Sequence, residues 1–288
     1  MTTTAHLPAP RSVWLRGRLP RPGVVLSAVF LLVAAVAAVA PGLIADQDPL
    51  AVGADPGFLP PFASTAHLLG TDHAGRDVFS RLVHGTAPSL VMGLGATGIA
   101  LVGGAVLGLL AGLGSRATET VVMRVLDIVL AIPELLLALI VIALLGTGTE
   151  HALLAVGVAT IPYYARMVRA QTHVVRRSGY VEAATGLGIH RAAVIWRHVL
   201  PNAIKPVLVL ATIGVGTAIA VGASLGFLGL GAQPPAPEWG SMLAAGVQYI
   251  SIDWMLVAIP GVTITLTVLS VTVLGRDLRR RAEGKAAG

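Results

Sequence analysis

One polar interruption separates two long apolar segments of this chain: Arg176-Arg177-Ser178-Gly179-Tyr180-Val181-Glu182-Ala183-Ala184-Thr185-Gly186-Leu187-Gly188. The interruption continues through Ile189 to Asn202, long enough for two short helices. Basic side chains are frequent in and beside it, at Arg176, Arg177, Arg191, Arg197 and Lys205. Such a charged insert between apolar segments is typical of a surface that another protein contacts.

The composition indicates a membrane protein. Of the 288 residues, 55% are hydrophobic and 12% are charged, whereas soluble domains carry about 25% charged residues. The chain has no cysteine, which excludes disulfides and cysteine-based metal or redox sites.

Six apolar segments predict an all-α membrane protein with six transmembrane helices, at about 24–45, 87–113, 121–145, 152–175, 203–230 and 254–274. The first segment would reach about 33 Å as a helix, enough for a hydrocarbon core of about 30 Å. A cleaved signal peptide is the alternative there, but its apolar part is usually only about 7–15 residues long. We therefore predict a tail at 1–23, a transmembrane domain at 24–275 and a second tail at 276–288.

The distribution of charge predicts the orientation. With both termini in the cytoplasm, all 20 Lys and Arg residues except Arg76 and Arg81 lie on the cytoplasmic side, as the positive-inside rule requires. This bias also explains the net charge of +6 without a nucleic-acid partner. The polar insert then lies in the cytoplasm, between the fourth and fifth spans.

The third predicted span contains two carboxylates, Asp127 and Glu134. An Asp costs about 2.5–3.5 kcal/mol at the centre of a membrane helix. Arg124 precedes Asp127 by three residues, so we expect an ion pair between them. Glu134 follows Pro133, and would lie roughly 15 Å deeper along a continuous helix. We expect a kink at Pro133, with Glu134 lining a pathway or a subunit interface.

Glycines recur every four residues in the second predicted span, at Gly104, Gly108 and Gly112. Small residues at this spacing allow two helix backbones to approach closely in a membrane. We therefore predict a helix-packing surface.

The chain has no phosphate-binding loop. Its two lysines, Lys205 and Lys285, do not follow the glycine-rich spacing that such a loop requires. We expect no ATP hydrolysis by this chain alone. The histidines of the outer loop match no metal-ligand spacing, so we expect no bound metal either.

The sequence of the insert predicts a short helix. Tyr180, Ala183, Ala184 and Leu187 would form one apolar face, and Glu182 in the first turn suits the helix dipole. Gly188 would end this helix in a left-handed conformation. A second helical segment is predicted from about residue 190, and it would end where the fifth span begins.

The insert resembles a known motif. Glu182-Ala183-Ala184 followed by Gly188, and then His198-Val199-Leu200-Pro201-Asn202, is similar to the Glu-Ala-Ala loop of permease subunits in bacterial ATP-binding-cassette importers. Other stretches resemble the C-type permeases of the dipeptide, oligopeptide and nickel family: Leu69-Gly70-Thr71-Asp72, Gly75-Arg76-Asp77-Val78, Ser80-Arg81, Met123-Arg124 with Asp127 and Pro133, Phe227-Leu228-Gly229-Leu230-Gly231, Gln233-Pro234-Pro235, Pro237, Trp239-Gly240 and Met242-Leu243.

This resemblance implies a type I importer permease fold with a cytoplasmic coupling helix between spans four and five, in a bacterial plasma membrane. It implies four kinds of partner, namely a B-type permease, two cytoplasmic ATPase subunits, an extracytoplasmic solute-binding protein and the lipid bilayer. The partner ATPases would use ATP and Mg, and this chain would bind no cofactor. Coupling would depend on Glu182, Ala183, Ala184, Gly188, His190, Arg191, Pro201 and Asn202.

Two departures from the family pattern concern the tail and Glu134. The sequence ends its last span without the usual Asp-Pro, and Glu134 stands where a smaller residue is common. The resemblance implies peptide import, with nickel or metal-chelate import as the alternative within the family.

Two functions of other classes remain as alternatives. An ion-coupled secondary transporter would use Asp127 or Glu134 as its proton site, although the sequence shows no inverted repeat. An intramembrane hydrolase would use Ser224, although no His or Asp is placed to activate it.

Overall fold

The computed structural model describes residues 21–52, 56–282 and 284, and these residues form helices and loops without a β-strand. The helices are α1 (Pro22–Val39), α2 (Val78–His84), α3 (Thr86–Leu113), α4 (Arg116–Leu130), α5 (Glu134–Leu145), α6 (Thr149–Arg176), α7 (Gly179–Gly186), α8 (Arg191–Val194), α9 (Leu200–Phe227), α10 (Trp239–Val247) and α11 (Met255–Ala282). Residues 1–20 of the predicted first tail lie outside the described residues, as do 283 and 285–288 of the second.

The centre of the fold is the contact between α3 and α6. A Cβ atom on Gly104 would overlap Tyr164, and one on Gly108 would lie 2.5 Å from the carbonyl oxygen of Ala165. One turn further, a Cβ on Gly112 would lie 2.7 Å from Thr172. The glycine spacing therefore lets the two backbones approach to a distance that any side chain would prevent. Helix α9 packs against both α3 and α6.

The first span is shorter than predicted. Helix α1 ends at Val39, and a single 3₁₀ turn follows at Pro41–Leu43. Pro41 has no N–H to continue the helix, and it disfavours the helical conformation of Ala40 before it. The apolar residues that follow this proline are therefore outside the helix.

The third predicted span is not one straight helix. Helices α4 and α5 meet at an angle of 90°, because Pro133 cannot donate to the ladder and Ile132 before it is pushed out of the helical region. Pro133 itself is extended, with φ −53° and ψ 135°. The rise of roughly 15 Å along a continuous helix therefore does not apply to Glu134, since α4 does not continue into α5.

Four described helical segments are long and apolar enough to cross a membrane, or five if α4 and α5 form one broken span. The fourth predicted span, α6, is absent from this set. It has 28 residues, but it carries Glu150, His151, Arg166, Arg169 and His173. The count of six spans remains a prediction.

Two features of the C-terminal third were not predicted. Helix α10 forms in the loop after α9, with Glu238 as its N-cap residue. Helix α11 does not stop at the predicted membrane boundary but continues through Ala282. The first residues of the predicted tail are therefore helical.

The glycine contact predicts that Gly108→Ala destabilises the fold. The added methyl would meet backbone atoms that cannot rotate away, so we expect a loss of about 1–3 kcal/mol. On the same helix, Gly98 is exposed and has nothing within 4 Å of its Cβ position. Gly98→Ala should raise the stability by up to about 1 kcal/mol. Thermal denaturation midpoints of the purified protein measure both effects, and equal midpoints would contradict the prediction.

Candidate functional site

The polar insert forms a two-turn helix, α7, that lies on a small apolar cluster. Val181 and Ala184 face inward, against residues of the neighbouring elements and the end of α3: Leu113, Val175, Val194, Val199 and Ala203. Tyr180 is 47% exposed and Leu187 is 81% exposed. Of the predicted apolar face, Ala184 is therefore turned into the chain, whereas Tyr180, Ala183 and Leu187 are exposed. The exposed side carries Glu182 and Ala183.

Gly188 ends α7 in the predicted left-handed conformation, with φ +77°. The N–H of Gly188 donates to the carbonyl of Thr185, and the N–H of Ile189 donates to the carbonyl of Ala184. These two hydrogen bonds form a Schellman motif, which satisfies the last carbonyls of the helix. The chain can therefore reverse sharply after only two turns.

The next element connects α7 to the long helix α9. His190 is the N-cap of α8, and its Nδ1 accepts from the N–H of Ala192 at 3.3 Å. The backbone then widens into a π-helical turn at Ile195–Val199. Pro201 cannot donate to this turn, while the side-chain amide of Asn202 donates to the carbonyl of His198 at 2.7 Å. The helical segment is nevertheless continuous from Arg191 to Phe227.

Two arginines of the insert connect it to the end of α3. Arg176 donates to the carbonyl of Gly112 at 2.6 Å, and Arg191 donates to the carbonyl of Leu113 at 3.3 Å. Carbonyls at a helix C-terminus have no partner within the helix and favour cations. The insert is thus fixed to α3 as well as to α6 and α9.

A cavity of about 1040 Å³ lies between α5, α6, α9 and the end of α11. Glu134 lines it, at the first position of α5, and accepts a hydrogen bond from Thr160 of α6 at 3.2 Å. Pro133 lines it as well. The break in the third predicted span therefore places this carboxylate in the cavity wall.

Asp127 has a different partner from the predicted one. Its carboxylate pairs with Arg166 of α6 at 2.5 Å, and not with Arg124 of its own helix. Glu119 likewise pairs with Arg169 of α6. Ion pairs thus join α4 to α6, because the tertiary packing brings an arginine of α6 to each acid.

The cavity also has basic residues in its wall, which the sequence did not predict. Arg276, Arg279 and Arg280 of α11 line it. The prediction placed them in a tail beyond the last span, where nothing in the sequence indicates a cavity. The sequence could have indicated only that the last helix continues past residue 274 and carries these arginines with it.

A further group of buried contacts lies around the start of α10. Trp239 is 1% exposed, and its indole Nε1 donates to the carbonyl of Leu82 at 3.0 Å. The guanidinium of Arg81 donates to the carbonyl of Pro235 at 3.2 Å. These contacts hold the loop after α9 and the start of α10 against α2. Trp239 belongs to one of the stretches that resemble the permease family, but the sequence alone indicated no role for it.

Glu238, beside that tryptophan, is almost completely buried, with 1% exposure. Its carboxylate accepts from the N–H of Ala232 at 2.8 Å. Burial raises the pKa of Glu238 above its ordinary 4.5, and the hydrogen bond from Ala232 opposes part of this change. Glu238 was not predicted as a site residue.

The described residues contain no group of three or more His, Asp or Glu side chains that could hold a metal ion. In the outer loop, His67 pairs with Asp77 at 2.9 Å, and His73 stacks on Tyr249. Ser224 donates to the carbonyl of Ala220 in its own helix at 2.9 Å.

This arrangement of helices agrees with known proteins. Residues 104–283 match the family described as binding-protein-dependent transport system inner membrane component. The chain belongs to this family. It is therefore a multi-pass membrane protein and a permease component of such a transport system.

Relatives within the family are similar over most of their length. The chain is 40% identical to the probable D,D-dipeptide transport system permease protein of Escherichia coli, over 93% of this chain and 89% of that protein. It is 43% identical to the di/tripeptide transport system permease protein of Pseudomonas aeruginosa, over 76% and 72%. The glutathione transport system permease protein of Pectobacterium atrosepticum is 39% identical, over 77% and 74%.

Solved structures share the fold. An inward-facing structure of the MetNI methionine ABC transporter matches 70% of this chain and 95% of that chain, with a TM-score of 0.57 and 23% identity. An amino acid ABC transporter structure matches 70% and 94%, with a TM-score of 0.56 and 18% identity. The fold is thus that of an ABC importer permease.

The buried Glu238 predicts a pH-dependent stability. Because its pKa is raised in the folded protein, stability falls as pH rises from 4.5 through that raised pKa. Glu238→Gln keeps an oxygen for Ala232 and removes the charge. Its thermal midpoint should therefore gain on that of the wild type as the pH rises above 4.5, by about 2–4 °C for each kcal/mol of the stability difference.

The exposed residue Glu150 provides the control. Glu150→Gln should follow the wild-type pH dependence. A Glu238→Gln midpoint that stays a constant distance from the wild type at every pH would contradict the role of the buried charge.

Proposed function

We propose that this chain is the C-type permease subunit of a bacterial ATP-driven peptide importer, in which it forms half of the translocation pathway. The observation that carries the proposal is its 40% identity over 93% of the chain to a permease named for dipeptide transport. Other relatives are named for di- and tripeptides and for glutathione, itself a tripeptide. Short peptides are the substrate class that these names share.

We further propose that α7 is the coupling helix and that a cytoplasmic ATPase subunit receives it in a groove. Its exposed side offers Glu182, Ala183 and Leu187, while Val181 and Ala184 hold it to the rest of the chain. Arg191–Phe227 continues from it as one helical segment of 37 residues. A displacement of α7 would therefore move α9, which lines the pathway cavity.

The same proposal includes partners on the other surfaces. Helix α5 exposes large apolar side chains, at Leu135, Leu136, Ile140 and Leu144, which suit a B-type permease or lipid. ATP and Mg would be used by two partner ATPases, with no cofactor bound by this chain. A solute-binding protein would contact the opposite face, near α2 and α10.

The proposed topology has six spans, with both termini in the cytoplasm of a bacterial cell. The charge bias supports this orientation. Helix α6, the fourth predicted span, would complete the count of six in spite of its charges. Its Arg166 and Arg169 pair with acids of α4, which lowers the cost of holding them near the membrane.

The ion-coupled alternative has less support. Asp127 is half-exposed and already paired with Arg166, so it makes a poor proton site. Intramembrane hydrolysis has less support too, since the Ser224 hydroxyl is bound within its own helix.

The coupling proposal predicts that Glu182→Lys or Gly188→Asp abolishes uptake by the complete transporter and uncouples its ATPase activity. Glu182→Lys reverses a charge on the exposed side of α7. Gly188→Asp puts a side chain at φ +77°, where L residues are strained. Uptake and ATP hydrolysis by reconstituted transporter measure the two effects.

Gly179→Ala is the matched control in the same helix, because Gly179 has open space around it and no positive φ. Ser224→Ala should also transport normally. Uptake that persists in both Glu182→Lys and Gly188→Asp would refute the coupling role of α7.

A further inference from the structure

The pathway cavity carries opposite charges on different parts of its wall. Glu134 contributes a carboxylate at the start of α5, and the last turns of α11 contribute arginines. The remaining wall is mixed, with the hydroxyls of Thr160 and Tyr163 beside apolar residues such as Ile213. A few charged groups in a largely apolar cavity are the usual form of a small-molecule site.

Close packing brings the arginines to this wall. Gly275 is buried against α9, and a Cβ there would lie 2.7 Å from both Ile213 and Thr212. Helix α11 can therefore lie directly on α9 at Gly275, the point where the apolar part of α11 ends. Arg276 and Arg280, one helical turn apart, then fall on the same face of the helix.

Arg281 shows that this placement is selective. It lies on the same helical end but outside the cavity wall. Its guanidinium pairs with Asp277 at 2.7 Å. Neighbouring arginines of one sequence cluster thus have different environments, which composition alone could not distinguish.

The charges in the cavity wall favour a ligand that has a negatively charged group at one end and a positively charged group at the other. A guanidinium can donate two parallel hydrogen bonds to a carboxylate, and Glu134 can accept from an ammonium group. A sphere of the cavity's volume is about 12 Å across, and a di- or tripeptide extends to about 7–11 Å. The termini of a short free peptide could therefore reach both parts of the wall.

We propose that this cavity binds short peptides by their termini: Arg276 and Arg280 bind the terminal carboxylate, and Glu134 binds the terminal ammonium. This inference rests on the proposed function of peptide import and adds a selection step in the permease itself. The permease would then discriminate against peptides with blocked termini after the solute-binding protein has released them.

The test uses the complete transporter with its partners in proteoliposomes, with ATP inside and saturating loaded binding protein outside. The probe is radiolabelled dialanine. The double variant Arg276→Gln, Arg280→Gln should lower uptake at least tenfold, while Arg281→Gln should stay within twofold of the wild type. Thermal midpoints and basal ATP hydrolysis show that each variant is folded and assembled.

Blocked probes distinguish peptide binding from a structural role. The wild type should transport dialanine faster than dialanine amide or N-acetyl-dialanine. The double arginine variant should lose its preference over the amide only, and Glu134→Gln should lose its preference over the acetylated probe only. Calorimetry on the binding protein measures its own affinity for each probe, so that each rate is compared at equal loading.

Three results would overturn the inference. Unchanged uptake and selectivity in the variants would refute the peptide-binding site, but they would not contradict the proposed peptide import. An arginine effect that disappears in vesicles of phosphatidylcholine alone would assign these arginines to anionic lipid headgroups. Absence of ATP-dependent dialanine uptake by the wild type would refute the proposed peptide import together with the site.

Discussion

The close contact between α3 and α6 supports most of this structure. Helix α6 is too polar to count among the membrane-crossing helices by composition. It is nevertheless central, because Gly108 and its neighbours on α3 let its backbone approach closely. Helix α9 packs on this pair, and the ion pairs of Asp127 and Glu119 attach α4 to it.

The break at Pro133 gives this helical core its cavity. A straight third span would carry Glu134 onward along the helix axis, whereas the 90° turn places it at the start of a second helix. There it lines the cavity and accepts a hydrogen bond from Thr160 of α6. Gly275 allows α11 to pack closely on α9, and Arg276, the next residue, also lines the cavity. Two local backbone features thus determine which charged side chains line the cavity.

The polar insert that contains α7 is joined to this core at both ends. Arg176 and Arg191 bind the last carbonyls of α3, and the segment after Gly188 leads directly into α9. A force on the exposed side of α7 would therefore reach the helices that enclose the cavity. An insert held only by a flexible linker could not transmit such a force.

The sequence by itself determined what local chemistry controls: the membrane class, most helix positions, the Gly188 helix end and the glycine surface on α3. It did not determine the buried face of α7, the Arg166 partner of Asp127 or the helix after Glu238. Nor did it place the arginines of α11 in a cavity wall. Those features depend on contacts between residues far apart in the chain, and only the packing of helices selects which side chains meet.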